Sequence, residues 1–458
     1  MRKYDAIIIG SGQGGTPLAF NLANKGWKTV LVEKHNLGGS CVNYGCTPTK
    51  TMMASAHAAF KIKKARDLGI EVDEPSVNIE KVWERKENIV KSFRGGIEKG
   101  IKNTSRLDYI NGKASFSGKK EILVETDSGP ESLTASIIII NTGTKPALPP
   151  IKGLKETPYL TNLNIMDLKA IPEHLLVVGG GYVGLEFGQM FNRFGSKVTI
   201  LQRGQQLLSN EDEDVAEEIK TIMEKEGINI KLQSQVEEVQ EKDGTIELTY
   251  STGNEKNKIT GSHLLLAAGR TPATEELNLK ERGIETDSRG FIKTDQWLET
   301  TSQRVFAIGD VKGGPAFTHI SYDDFRFLYA NLVENKHLPL EDRLVPYTIF
   351  TDPQLGRVGI TEREAKERNR KYLKAKVPMS SVARARETGE TEGFMKAIID
   401  KKTDKILGFT MLGSQGGEVM GAIQIAMLGN LPYTTIRDTP FAHPTYVESL
   451  NNLFSSVE

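Results

Sequence analysis

The chain has 458 residues, enough for two to four domains with ample core. Its 59 Lys and Arg balance 59 Asp and Glu, so nothing in the charge points to nucleic acid or to an anionic membrane surface. Apolar runs such as Ile137-Ile138-Ile139-Ile140 have buried-strand length and fall far short of a membrane span. The start Met1-Arg2-Lys3-Tyr4-Asp5 enters a strand pattern at once, which leaves no room for a secretory signal, and two cysteines in all make a reducing cytoplasm the expected location.

Ala6-Ile7-Ile8-Ile9 runs into Gly10-Ser11-Gly12-Gln13-Gly14-Gly15 and then a helical stretch. Gly10, Gly12 and Gly15 allow a tight turn and close approach of a pyrophosphate to the start of the helix. Such a motif alone can be an ordinary strand-to-helix turn. Here a second strand, Thr29-Val30-Leu31-Val32, ends at Glu33, where an acidic side chain can hydrogen-bond an adenosine ribose, so an adenosine-dinucleotide site is expected.

Next comes Gly38-Gly39-Ser40-Cys41-Val42-Asn43-Tyr44-Gly45-Cys46-Thr47-Pro48-Thr49-Lys50, which holds both cysteines. Four intervening residues let a loop or first helical turn bring the sulfurs within disulfide distance, Pro48 suits a first helical turn, and a helix start beside Cys46 favours its thiolate. A redox dithiol, a structural bridge and half of a zinc site all fit the spacing. A bridge across four residues would constrain the unfolded chain little, and zinc would need more ligands than the nearby His35.

Charged helical patterns follow (His57 to Arg66, Glu80 to Lys99), then short strands over 107–140 ending in Asn141-Thr142-Gly143, then a linker-like Lys152 to Leu168. Leu175-Leu176-Val177-Val178 running into Gly179-Gly180-Gly181-Tyr182-Val183-Gly184 echoes the first unit and predicts a second dinucleotide site. Its next strand, Lys197 to Leu201, ends in Gln202-Arg203 without the ribose-binding carboxylate. A neutral Gln202 tolerates a 2′-phosphate and Arg203 could pair with it, which favours NADPH; Gln can also bond a ribose hydroxyl, so NADH stays open. Leu264 to Arg270 and Val305 to Asp310 read as two further buried strands, each closing at a glycine. From Pro346 the pattern is β-rich and then helical, ending in Ala442-His443-Pro444-Thr445-Tyr446-Val447-Glu448.

The cysteine segment, both glycine motifs, Thr142-Gly143, Gly269-Arg270-Thr271-Pro272, Ala307-Ile308-Gly309-Asp310 and His443-Pro444-Thr445 with Glu448 together resemble the class I pyridine nucleotide-disulfide oxidoreductases, across nearly the whole chain. The resemblance implies an α/β fold: two Rossmann-like domains, for FAD (1–150 and 264–336) and NAD(P) (151–263), plus an α+β dimerisation domain (337–458). It implies FAD contacts at Gly10, Gly12, Gly15, Glu33, Gly39, Ser40, Lys50, Ala114, Thr142, Gly143, Asp310 and Thr318. It implies nucleotide contacts at Gly179, Gly181, Gly184, Gln202, Arg203, Val236, Gly269 and Arg270. It further implies a Lys50–Glu186 ion pair, Cys46 as the flavin-side thiol, Cys41 as the exchanging one, and His443, oriented by Glu448, acting on the partner subunit of a homodimer. His57, His174 and His263 receive no role.

Within the family the chain resembles most the mercuric reductase-like branch, which includes a copper(II)-reducing flavoprotein. That likeness rests on Ala316 to Asp324, Val345-Pro346-Tyr347, Leu355 to Gly359 and Glu448 to Phe454. Phe441 stands where glutathione reductases and lipoamide dehydrogenases usually carry a second histidine, and the C-terminal cysteine pair of mercuric reductases is missing. The expected activity is NAD(P)H-driven reduction, through Cys41 and Cys46, of a metal ion such as Hg(II) or Cu(II) or of a small disulfide, with no resident metal. Glutathione reductase or dihydrolipoamide dehydrogenase activity is the alternative, and a redox-sensing flavoprotein is the alternative of another class.

Overall fold

The computed structural model describes residues 1–73, 75–118, 121–340 and 343–458. It opens with β1 (Arg2–Ile9), α1 (Gly15–Asn24) and β2 (Thr29–Glu33), followed by the helices α2 (Gly39–Tyr44), α3 (Cys46–Lys64) and α4 (Ile79–Asn103). The strands β3 (Leu107–Asn111), β4 (Lys113–Gly118), β5 (Glu121–Thr126) and β6 (Gly129–Ile140) complete a sheet ordered β3-β2-β1-β6-β5-β4. The C-terminal half of β6 runs parallel to β1, whereas its first half pairs antiparallel with β5. Both faces of the parallel part are covered, which is why its strands are apolar without alternation: Ile7 and Ile9 join one core, Ala6 and Ile8 the other. Gly10 has φ +103°, and a Cβ there would lie 2.3 Å from the Asn141 carbonyl oxygen, so no other residue fits that turn.

After β7 (Thr144–Pro146) the chain leaves for a second unit made of β8 (His174–Val178), α5 (Tyr182–Phe194), β9 (Lys197–Leu201), α6 (Glu213–Lys225) and β10 (Asn229–Lys231). An antiparallel excursion follows through β11 (Ser234–Lys242), β12 (Thr245–Thr252) and β13 (Glu255–Gly261), then β14 (His263–Leu266). The parallel sheet is ordered β10-β9-β8-β14. This corrects the expected boundary at 263: Leu264 to Leu266 belong to the second unit, where Leu264 and Leu266 pack on one face and Leu265 on the other. The chain returns through β15 (Arg270–Pro272), antiparallel to β7, and β16 (Val305–Ala307) joins β6 in the first sheet. The expected linker is also more than a linker. The Leu160 N–H donates to the Leu264 carbonyl and the Leu266 N–H to the Leu160 carbonyl, adding a one-residue edge to the second sheet.

Beyond α7 (Thr318–Val333) lies a five-stranded antiparallel sheet of β17 (Tyr347–Ile349), β18 (Gln354–Gly359), β19 (Tyr372–Pro378), β20 (Phe394–Asp400) and β21 (Ile406–Gly413), ordered β17-β18-β21-β20-β19. The helices α8 (Glu362–Glu367), α9 (Ala383–Thr388), α10 (Gly416–Leu428), α11 (Tyr433–Asp438) and α12 (Ser449–Ser455) surround it. α10 buries Val419, Ile423 and Ala426 but turns Ile425 and Leu428 to solvent, 69% and 60% exposed. A partly buried cluster ties the units together: Arg193 on α5 donates to Glu226 and, at 2.7 Å, to the Asp352 carboxylate, which also bonds His57 of α3. No helix among the described residues is long and apolar enough to cross a membrane.

Candidate active site

A cleft of about 1620 Å³ runs between the three parts of the molecule. On its floor lies the redox turn, where α2 ends at Tyr44 and α3 begins at Cys46. Asn43, between the cysteines, fixes that turn: its amide donates to the Leu37 and Gly39 carbonyls, and its oxygen accepts from Arg94 of α4 at 2.7 and 3.1 Å.

The two thiols are unbridged, with Cys46 open to the cleft and Cys41 half-buried. They titrate in opposite directions. The Cys41 thiol donates to the Cys46 sulfur, and this, helped by the Thr318 hydroxyl at 3.1 Å and the Lys50 charge, outweighs burial and brings Cys46 down to about 6. The same bond, with burial, pushes Cys41 well above the ordinary thiol range. Cys46 is therefore the thiolate of the pair at neutral pH.

One helical turn along α3, Lys50 donates to Glu186 of α5 at 2.6 Å. The other Glu186 oxygen accepts from the Phe350 N–H at 2.9 Å, and the Lys50 ammonium lies 4.6 Å from the Phe350 ring centroid. Glu186 is 4% exposed, so its burial demands the partner that Lys50 supplies. Phe350 escaped the sequence reading, since no local pattern marks a residue 164 positions from the carboxylate it bonds.

Gly10, Gly12, Glu33, Gly39, Ser40, Ala114, Thr142, Gly143, Asp310 and Thr318 all line the cleft, while Gly15, buried at the start of α1, does not. Glu33 accepts from the Ser11 N–H and hydroxyl, both at 2.9 Å, and Asp310 accepts from the Thr144 hydroxyl. The Thr142 hydroxyl is buried without a hydrogen-bond partner.

On the second unit Gly181 reaches the cleft, whereas Gly179 and Gly184 lie outside its lining. Gln202 accepts from the Gly180 N–H and donates to the Gln206 carbonyl, both at 3.2 Å, and Arg203 is exposed. Val236 sits in the core of the second unit, away from the cleft wall. Gly269 lies at the crossover, and Arg270 on the cleft lining bonds the Thr144 hydroxyl and carbonyl. The His443 Nδ1 lies 3.0 Å from both Glu448 oxygens, yet His443 does not line the cleft that holds the cysteines, and its side chain is 68% exposed.

The profile of the pyridine nucleotide-disulphide oxidoreductases matches residues 4–324, and that of their dimerisation domain matches residues 345–454. The chain is a pyridine nucleotide-disulphide oxidoreductase. Members similar to it include RclA of Escherichia coli (strain K12), a probable pyridine nucleotide-disulfide oxidoreductase, 36% identical over 462 residues with all of both chains covered. The mercuric reductase of Staphylococcus aureus is 30% identical over 447 residues, 98% of this chain and 81% of that one. A solved Cu(II) complex of the Escherichia coli HOCl-induced flavoprotein disulfide reductase RclA superposes with TM-score 0.91 over 99% of each chain, at 36% identity.

This pyridine nucleotide-disulphide oxidoreductase is thus an NAD(P)H-dependent flavoprotein with Cys41 and Cys46 as its redox pair, and it carries the family's dimerisation domain, which supports a homodimer. Membership implies FAD, and the first unit fits it: Glu33 ends β2 on the cleft wall, Gly10 and Gly12 line the same wall, and Thr142 carries a buried hydroxyl still lacking a partner. Among the described residues no three His, Cys, Asp or Glu side chains gather as a metal cage.

Proposed function

We propose that the enzyme uses NADPH to reduce a thiol-reactive metal ion, Cu(II) or Hg(II), at the Cys41–Cys46 pair, with small disulfides as slower acceptors. The carrying observation is the Cys46 thiolate, open to the cleft and flanked by a second thiol. A soft or borderline ion is captured by that sulfur pair. Two Cu(II) become two Cu(I), or one Hg(II) becomes Hg(0), as Cys41 and Cys46 close to a disulfide and the Cys41 thiol releases its proton. Gly10, Gly12, Glu33 and Thr142 on the cleft wall would hold FAD, which would supply the two-electron chemistry that links the nicotinamide to that disulfide. Lys50 and Glu186 hold their charges beside the pair, and Thr318 donates to the Cys46 sulfur. Cys41 takes the exchanging role, with the partner subunit's His443, held by its Glu448, as acid and base. The absence of His443 from the cleft of its own chain supports that assignment.

A mercuric reductase and a protein solved with Cu(II) among the similar proteins favour the metal reading, as does Phe441 in place of a second histidine. The neutral Gln202 and exposed Arg203 favour NADPH. The test is anaerobic oxidation of NADPH and NADH against Cu(II), Hg(II), glutathione disulfide and lipoamide, with Cys46→Ser beside the parent. Metal-dependent turnover that vanishes in Cys46→Ser is expected. Equal turnover of every acceptor, surviving in Cys46→Ser, would overturn the proposal.

A further inference from the structure

The peptide between the two cysteines has an unusual vacancy, and a residue from another domain fills it. If α2 continued into α3, the Tyr44 carbonyl would accept from the N–H four residues on, but that residue is Pro48, which has none. The neighbouring Gly45 carbonyl finds its normal partner in the Thr49 N–H. The Tyr44 oxygen instead accepts from the side-chain amide of Asn162 at 3.1 Å, a residue 118 positions away.

Asn162 is held firmly on both sides. Leu160 is paired through both its backbone groups to β14. Thr161 accepts from the Leu163 and Ile165 N–H groups and donates its own to Asn164, while Ile165 and Met166 are buried in the core of the second unit. Met166 also receives the Thr49 hydroxyl on its sulfur. The amide that meets the redox turn is thus fixed to the edge of the nucleotide-binding sheet, and the carbonyl it meets lies two residues before Cys46.

We propose that Asn162 is a positioning residue of the redox centre, setting the peptide between Cys41 and Cys46 and coupling it to the second unit. Asn162 touches neither sulfur; it acts by occupying the α2 carbonyl that Pro48 leaves open. An unpaired carbonyl would let the Tyr44–Gly45 peptide turn and would leave the negative end of α2 facing the thiolate. Disulfide and dithiol need different sulfur separations across this peptide, so their balance depends on how it is held.

The proposal rests on the cysteines being the redox pair. Its test uses the FAD-loaded dimer of the parent, Asn162→Ala and Asn162→Asp. The Asp variant keeps the shape but sets a carboxylate against the carbonyl. The readouts are the thiol–disulfide equilibrium against glutathione and the thiolate–flavin charge-transfer absorbance per bound FAD. We expect the equilibrium constant to shift by about fivefold in Asn162→Ala and by about tenfold or more in Asn162→Asp, some 30 mV for a two-electron couple, with a weaker charge-transfer band in both. Parent-like potential and band in both variants at equal FAD content would overturn it. A parent whose band and turnover survive Cys46→Ser would overturn the redox-pair reading as well, a result recognisable without the Asn162 variants.

Discussion

Lys50 and Glu186, 136 positions apart, meet at 2.6 Å and join the helix that starts at the redox pair to the helix that starts at the second glycine motif. Glu186→Gln should keep the bond to Phe350 but remove the countercharge of Lys50. The folded state should lose on the order of 1–2 kcal/mol in urea denaturation, less than for a fully buried pair because the Lys50 side chain is 33% exposed. Stopped-flow reduction by NADPH should slow by roughly tenfold; unchanged stability and rate would remove the pair from both roles.

The depressed Cys46 pKa predicts a pH dependence with a definite sign. With Cys46 at about 6, the thiolate of the reduced enzyme is present above that pH and is lost as pH falls through it. The charge-transfer band should titrate accordingly, and Thr318→Val, which deletes a donor to the sulfur, should move the midpoint upward. A parent midpoint at the ordinary thiol value, about 8.5, would contradict the geometry.

His443 can be placed by mixed dimers. Co-expressing a Cys41→Ala chain with a His443→Ala chain should restore about a quarter of the parental turnover if histidine serves the partner's cysteines, since about half of the dimers are then mixed and each mixed dimer has one site with both groups intact. If each histidine serves its own chain, every site is defective and the mixture stays as inactive as either variant alone.

Gln202→Glu should lower the ratio of NADPH to NADH turnover by about tenfold or more, because a carboxylate repels a 2′-phosphate and accepts from a ribose hydroxyl. The Gly180 N–H that now bonds Gln202 can also bond the glutamate, whereas the donation to the Gln206 carbonyl is lost, so the comparison is made as a ratio of the two nucleotides on the same variant. An unchanged ratio would move nucleotide recognition away from this strand end.

Asp352 contributes stability that acid removes. Burial would raise its pKa, but the bond to His57 and the charge of Arg193 hold it at about 2. A depressed carboxyl stabilises the fold above its unfolded value near 3.8, and the contribution fades as pH falls towards the folded value. Asp352→Asn should therefore cost about 2 kcal/mol at pH 7 in chemical denaturation, with the gap to the parent closing below pH 4. A gap independent of pH would mean the loss is one of packing alone.

Much of this was legible in the chain because the signals are local. The glycine turns, the apolar strand runs and the cysteine spacing each concern fewer than fifteen consecutive residues, and backbone geometry dictates them. Legibility fails where a strand has two possible hosts: Leu264 to Leu266 reads as a buried strand, but only the pairing to β8 decides its sheet. It fails again for Phe350 and Asn162, whose partners lie 164 and 118 positions away and whose residue types carry no pattern of their own. Val236, carried over from the family, has its side chain in the core of the second unit rather than on the cleft wall.

The paired strands β7 and β15 carry both chain connections between the first and second units, and just beyond them the Ala147 N–H bonds the Gly269 carbonyl. Residues 148–268 thus enter and leave through a single doorway, with their two ends side by side. Such a segment is portable: a short turn joining 147 to 269 would close the flavin-binding unit without it, and the excised piece, its ends adjacent, could be grafted or circularly rearranged as one body.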